Sequence, residues 1–308
     1  MRSKKIVVAG ATGTLGNKIV KALIEQGAEV TAMVRISSDR SNLAEMGIDH
    51  FVIGDMLNKS SLKNALSPDH GFDAIVSSAA GYTGHSKGDT PLTDTVGYRN
   101  LVDTVKESGI PRFVFISILE CSNAKHVPHF YHKYLTEKYL AERHQPFIAL
   151  RPGAFLDQAR DFIFYKIREG ILPVLFEGVD YGTIYTPDLA RYAATAATAV
   201  PDSELNTAVD VGLSTPVNSN TLAAAFEKAL KKPVKPEAVF SSFFLHIKGP
   251  VFAMFDSRLH DRLEMIKWVK TGRYVSRNTQ RQKMLFGDLP TIEETVSRYC
   301  RDNNLITG

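Results

Sequence analysis

The sequence predicts an α/β fold: a doubly wound parallel sheet with helices on both faces, followed by a smaller C-terminal part. Two observations carry that prediction. Short apolar runs rich in Val, Ile and Phe alternate with stretches of helical spacing from Lys5 to about residue 150. That order builds a parallel sheet from strand–helix–strand units. The first run, Lys5-Ile6-Val7-Val8-Ala9, leads directly into Gly10-Ala11-Thr12-Gly13-Thr14-Leu15-Gly16. A helix follows, with Ile19, Val20, Leu23 and Ile24 on one face. A chain of 308 residues, 44% hydrophobic and 23% charged, is long enough for one large domain or one and a half.

Strand, glycine turn, helix is the setting in which a dinucleotide fingerprint has physical meaning. One glycine lets the chain turn sharply off the strand. Another lets backbone N–H groups approach a pyrophosphate, and the last lets helix and strand pack closely. The helix N-terminus then offers free N–H groups and a positive dipole end to the phosphates. Gly10, Thr12, Gly13, Thr14, Leu15 and Gly16 are therefore candidate cofactor-binding residues. The competing reading is an ordinary strand–helix turn that happens to be rich in glycine. The spacing is G-x-x-G-x-x-G, one residue longer in the first gap than the commonest form.

The remaining elements follow in order. The first helix ends near Gln26-Gly27, a glycine C-cap. Glu29 to Val34 is the second strand, and Arg35 stands at its end with Ser37, Ser38 and Arg40 behind it. An acid at this place would bond the ribose hydroxyls of NAD and repel a 2′-phosphate. An arginine offers that phosphate two parallel hydrogen bonds, so Arg35 points to NADP(H). His50 to Ile53 is the third strand, ending in Gly54-Asp55-Met56-Leu57. Asp55 and Met56 lie at the strand's C-terminal rim, where such sheets bind ligands; Asp55 reads equally well as an Asx turn before the next helix. Asp73 to Ser77 is the fourth strand, and the small residues Ser78 and Ala79 after it let a cofactor pass. The polar loop from Tyr82 to Pro91 is expected to move. A helix from about Thr93 to Ser108 precedes the fifth strand, Phe113 to Ser117.

Composition limits the function classes. A net charge of +4, with Lys and Arg scattered, does not argue for nucleic acid. Cys121 and Cys300 stand far apart with no CxxC or His/Cys cluster, so no metal site is expected and a reducing compartment is the natural setting. The apolar run after the basic start is too short for a signal segment, and no stretch reaches the length of a membrane span. The expectation is a cytoplasmic protein with no nucleic-acid or membrane partner.

Three further segments resemble one family. Gly109-Ile110-Pro111-Arg112-Phe113-Val114-Phe115-Ile116-Ser117, Lys133-Tyr134-Leu135-Thr136-Glu137-Lys138-Tyr139-Leu140 and Leu150-Arg151-Pro152-Gly153 are similar, in order and interval, to the NmrA-like branch of the atypical short-chain dehydrogenases/reductases. The likeness runs from Lys5 to about Asp188. It implies a Rossmann-type doubly wound sheet over residues 1–155, with segments near 183–212 returning to it. It also implies NADP(H) and a smaller, discontinuous substrate-binding part over 156–308. The branch holds quinone- and carbonyl-reducing enzymes, and also silent proteins that bind NADP(H) as a redox signal.

Short-chain dehydrogenases use Tyr and Lys four apart on one helix face, the lysine lowering the tyrosine's pKa. Tyr134 and Lys138 have that spacing. The family pattern, in which Glu follows the lysine by four and an apolar residue comes next, fits Lys133, Glu137 and Leu140 instead. Lys133 is thus the candidate catalytic or ribose-binding residue. Its alternative is a surface lysine paired with Glu137. In this register the tyrosine position holds His129 and the usual serine falls at Ile118 beside Ser117, so the standard set is incomplete. His129 is a candidate proton donor and equally a helix-start residue after Pro128. In related enzymes the turn after the sixth strand, here with Pro152 and Phe155, lies against the nicotinamide.

The C-terminal part offers Thr186-Pro187-Asp188 as a helix start with Thr as N-cap. A strand is expected over Asn206–Val211, a helix over Asn218–Leu230 and a last helix opened by Pro290-Thr291-Ile292-Glu293-Glu294. The aromatic segments Phe240–Leu245 and Val251–Phe255 read as core, as a lid over an apolar or aromatic substrate, or as a subunit contact in a homodimer; Trp268 and Tyr274 are candidates for the same cavity. The leading expectation is an NAD(P)H-dependent oxidoreductase that reduces a small apolar carbonyl, quinone or related electrophile. The alternatives are a non-catalytic NADP(H) sensor and an NAD-dependent epimerase or dehydratase. Arg35 and the missing tyrosine argue against the last.

Overall fold

A computed structural model describes residues 2–81, 92–157, 166–175, 177–239, 241, 244–276 and 278–306, with the side chains of Phe244 and His246 excepted. The Tyr82–Pro91 loop and Phe240, Ser242 and Phe243 of the aromatic segment lie outside the described residues. In chain order the main elements are β1 (Lys5–Ala9), α1 (Thr14–Glu25), β2 (Glu29–Val34), α2 (Ser41–Glu45), β3 (Phe51–Ile53), α3 (Lys59–Ala65), β4 (Ala74–Ser77), α4 (Tyr98–Glu107), β5 (Phe113–Ile116), α5 (Pro128–Glu142) and β6 (Phe147–Pro152). Then come β7 (Ala154–Phe155), β8 (Ile171–Val174), β9 (Thr183–Ile184), α6 (Thr186–Thr198), β10 (Thr207–Val211), α7 (Ser219–Leu230), β11 (Lys235–Ala238), α8 (Gly249–Ala253), α9 (Ser257–Val269), α10 (Thr279–Phe286) and α11 (Ile292–Asp302).

Seven strands form one sheet in the order β10-β6-β5-β4-β1-β2-β3, and each pairing from β6 to β3 is parallel. Ile6 to Ala9, Ala74 to Val76 and Phe113 to Phe115 are fully buried. Strands covered on both faces need apolar residues at every position, which is why they appear in the sequence as unbroken runs. On one face Val7, Ala9, Ile75, Phe113 and Phe115 pack against Leu62 of α3, Tyr98, Leu101, Val102 and Val105 of α4, and Leu140 of α5. On the other, α6 packs against α1, β4 and β5. Its sequence, Thr-Pro-Asp-Leu-Ala-Arg-Tyr-Ala-Ala-Thr-Ala-Ala-Thr, buries five alanines, so two backbones approach closely without strain. The helix begins on Thr186 itself, whose hydroxyl accepts a hydrogen bond from Lys18 Nζ.

The chain divides into two compact units. The first comprises Met1–Cys121, His129–Arg151 and Thr186–Val209; the second comprises Ser122–Pro128, Pro152–Tyr185 and Asp210–Gly308. In the second, β8 pairs with β11 and β7 with β9, both in parallel. Tyr299 of α11 is buried, with Phe226 and Tyr185 edge-on to it at 5.7 and 6.0 Å. Gln282 ties α10 to Gly212 through both its backbone groups. Trp268 and Tyr274 are buried, but Val251, Phe252, Met254 and Phe255 are exposed. The core reading therefore fails for this stretch: its apolar residues find no cover among the described residues.

Candidate functional site

The glycine turn divides its labour among three positions. Gly10 has φ +83°, and a Cβ there would lie 2.8 Å from Ala79 N at the end of β4. Gly16 is crowded further: a Cβ would lie 1.9 Å from the Gly10 carbonyl oxygen. Gly13 has ordinary backbone angles and room for a Cβ, 3.4 Å from the same oxygen, and it is the N-cap of α1. So Gly10 and Gly16 hold the turn against the sheet, while Thr12, Gly13 and Thr14 are exposed and Leu15 half-buried. The first-turn N–H groups of α1 have no side-chain cap, and no acid stands in that turn. Uncapped donors at a helix N-terminus suit an anion.

The next rim positions differ in kind. Arg35 is exposed at the end of β2, in a turn closed by Ser38 N to Arg35 O and by Arg35 N to Ser38 Oγ. The nearby acid, Asp39, accepts from Ser41 N at the start of α2, and this bond holds its carboxyl below the usual range. Arg40 lies over the Phe51 ring at 5.3 Å. Asp55 accepts from Leu57 N, the Asx turn that was one of its two readings. Met56 is buried in the core against Gly97, so only its backbone is open to a ligand role. Its carbonyl is already bonded to Asn100. Ser78 and Ala79 abut Gly10, with Ser78 N donating to Ala9 O at 3.0 Å.

Lys133 is not a surface lysine paired with Glu137. Its ammonium lies 4.8 Å from the Phe115 ring centroid and 5.1 Å from that of Tyr98. Burial lowers its pKa, and the Asp94 charge opposes that shift. Tyr98 is fixed by its hydroxyl, which bonds to Ser77 Oγ at 3.0 Å and donates to Ala79 O at 2.5 Å. Burial, more than the Asp94 charge, pushes the phenol far above its ordinary value, so Tyr98 stays protonated. Asp94 is itself buried and accepts from Gly81 N at 3.2 and 3.3 Å. A continuous line thus runs along the strand ends: Gly10, Ala79, Tyr98, Lys133. Ligands bind at this rim of open α/β sheets.

One turn after Lys133, Glu137 is buried and bidentate to Arg151, at 2.9 Å from Nε and 2.5 Å from Nη2. Ser117 Oγ donates to the same carboxylate at 2.5 Å, and the Cys121 thiol lies 3.6 Å away. Burial and then the Glu137 charge push the Cys121 thiol up to about 12, so it is no nucleophile. This network joins β5, α5 and β6 below the Lys133 position.

Among the other candidates, His129 stands in the first turn of α5, half-buried and edge-on to Phe130. Lys138 is exposed, and Tyr134 lies beside Tyr131. Pro152 and Phe155 fall in the second unit. There the stretch forms the end of β6 and the short β7 instead of a plain turn, because Gly153 lets the chain pass Gly182 with no room for a Cβ. Sequence reasoning missed Asp94 and Tyr98. Asp94 stands between Thr93 and Thr95, and Tyr98 between Gly97 and Arg99, with no motif to mark either; only the fold brings them to a lysine on a different helix. No group of three or more His, Cys, Asp or Glu side chains placed to hold a metal exists among the described residues.

Comparison with known proteins follows this geometry. A family profile described as NAD(P)H-binding matches residues 10–199. The photosystem II assembly factor Ycf39 of Synechocystis sp. is 32% identical over 156 residues, covering 49% of this chain and 45% of that protein. The chain spans about half the length of several such relatives. Among solved structures, Citrobacter sp. triphenylmethane reductase complexed with NADP(H) superposes with a TM-score of 0.75 at 19% identity, over 95% of this chain and 99% of that one. The NADPH-dependent quinone oxidoreductase QOR2 of Escherichia coli, complexed with NADPH, gives 0.73 at 18% identity over 96% and 99%.

Proposed function

This chain belongs to the NAD(P)H-binding family, and from that premise we propose that it is an NADPH-dependent reductase of a small apolar carbonyl, quinone or related electrophile. The observation that carries the reading is the desolvated Lys133 ammonium at the strand-end rim, in line with an open glycine turn. The cradle fits a dinucleotide: Gly10 and Gly16 are placed where a side chain cannot stand, and Thr12 to Thr14 are open. The uncapped N–H groups of α1 would hold the pyrophosphate. Arg35 would hold the 2′-phosphate, there being no acid at its own position to repel it. NADPH, when bound, supplies the hydride.

The chain's own residues supply the electrostatics. Lys133 is a positive charge held over two aromatic rings, and such a preorganised charge stabilises an oxygen that gains negative charge more than a freely solvated one would. The Asp94 charge works against the effect of burial and favours the ammonium form. The Tyr98 ring lies under the ammonium, and its raised pKa keeps the phenol from giving up its own proton. His129 is the candidate donor for the substrate oxygen, in the position where the wider group has tyrosine. The dye- and quinone-reducing neighbours support a substrate of this class. A cytoplasmic location agrees with two free, buried thiols.

A second reading, a non-catalytic NADP(H)-binding regulator, is favoured by the missing tyrosine and by relatives named as assembly factors. The deciding measurement is NADPH oxidation followed at its own absorbance against a panel of quinones and aromatic aldehydes. Turnover that Lys133→Met suppresses supports the enzyme. NADPH binding without turnover on any of them, together with an altered association with another protein, supports the regulator.

A further inference from the structure

Apolar side chains exposed to solvent concentrate in one stretch of the second unit. Ile247 is 56% exposed, Val251 55%, Phe252 58%, Met254 79% and Phe255 87%. Among the described residues, Phe252 and Phe255 are the two phenylalanines more than half exposed. They surround the short helix α8, which Pro250 opens and Asp256 ends by capping α9. The stretch is bracketed by positive charge. Lys248 precedes α8, and Arg258 and Arg262 on α9 both act on the Asp256 carboxylate just after Phe255. Asp256 is the only acid in the sequence between Phe244 and His260, and its carboxylate is occupied by Arg258 N and Leu259 N. From Phe244 to Arg273 the sequence holds six Lys or Arg against three Asp or Glu.

We propose that the Ile247–Phe255 tip is a docking surface for a bilayer carrying anionic phospholipids. An aromatic and aliphatic tip with a basic margin matches the two layers of such a surface, apolar chains below and phosphate headgroups above. Charge argues against a second copy of the chain as occupant. A two-fold contact would lay the same patch on itself and bring Lys248, Arg258 and Arg262 against their equivalents. An anionic surface instead attracts each Lys or Arg brought close to it. The sequence reading expected no membrane partner because no span is present, and no described helix is long and apolar enough to cross. Docking needs no span.

The test is flotation of the full chain with vesicles of phosphatidylcholine alone and with phosphatidylcholine plus phosphatidylglycerol, at low and high salt. The wild type is expected to float with the anionic vesicles, less at high salt, and to remain below with the neutral ones. Phe252→Ser with Phe255→Ser, and separately Lys248→Glu with Arg262→Glu, should each cut the bound fraction at least about tenfold. All four positions are on the surface, so melting temperatures should stay near that of the wild type. The proposal is overturned if the wild type does not float, or if the variants float as it does. It is also overturned if light scattering shows a dimer that the serine pair dissolves. A raised KM for a quinone with unchanged flotation would make the tip a substrate lid instead. The flotation and light-scattering outcomes do not depend on whether the chain reduces a substrate.

Discussion

Taking an ammonium group out of water costs free energy unless another interaction replaces the lost hydration. At Lys133 the replacement is two aromatic faces and the Asp94 charge, and burial still dominates. The folded-state pKa therefore lies below the ordinary 10.5, so above that lowered value the unfolded chain binds more protons than the folded one. The sign follows: Lys133 lowers stability at neutral pH, and this cost fades as pH rises through the lowered pKa toward 10.5. Lys133→Met should melt at the same temperature as the wild type or higher at pH 7, and the gap should narrow at pH 9–10. Calorimetry across pH checks this. In the same variant turnover should fall roughly 10²–10⁴-fold, with a smaller loss of NADPH affinity. Tyr134→Phe should change neither. If Tyr134→Phe abolishes turnover and Lys133→Met does not, Tyr134 and Lys138 are the working pair. At Arg35 the expectation is a change of preference: Arg35→Asp should weaken NADP(H) about ten- to a hundredfold and spare NAD(H), by titration of both cofactors. Equal losses would mean that Arg35 does not read the phosphate.

At the scale of elements, the glycine turn and α5 behave differently toward substitution. Gly16→Ala drives a Cβ to within 1.9 Å of backbone and should cost about 3 kcal/mol or more in unfolding free energy. Gly13→Ala meets only a 3.4 Å contact with normal backbone angles, so it should cost under about 1 kcal/mol while lowering NADPH affinity. Denaturant titration beside cofactor titration separates the two. Glu137→Gln removes the buried carboxylate charge that pairs with Arg151 and should cost about 3 kcal/mol. The turn and the buried strands were legible because their physics is local: a glycine at φ +83°, four fully buried residues in β1. The π-turn at Leu92–Gly97 that carries Asp94 was not, because its aspartate is placed by contacts with Gly81 and Lys133, remote in sequence. The register of α5 rests on the family resemblance, since its apolar residues occupy no single face. The Val251–Phe255 stretch misled the reading of core, because apolar composition does not record whether a surface is covered.

Across the whole molecule, the path of the chain matters more than the order of strands. The first unit takes in residues up to Cys121, then His129–Arg151, then Thr186–Val209. Its last helix, α6, covers α1, where Gln26 bonds to Arg191 O, Thr195 and Thr198. A fragment ending at residue 155 keeps β1 to β6 but leaves α1 without that cover. It should be insoluble or molten by near-ultraviolet circular dichroism and near-ultraviolet melting, whereas a native-like fragment would show that α6 is dispensable.

The same threading sets a timetable for the ribosome. Translation must add 34 residues after Arg151 before Thr186 is made, and α6 must then clear the exit tunnel. At about 5–20 residues per second the nascent sheet waits on the order of seconds with one side of α1 bare. In that interval the chain is a client for a ribosome-bound chaperone, and slowing its codons between residues 152 and 185 should raise the fraction lost to aggregation.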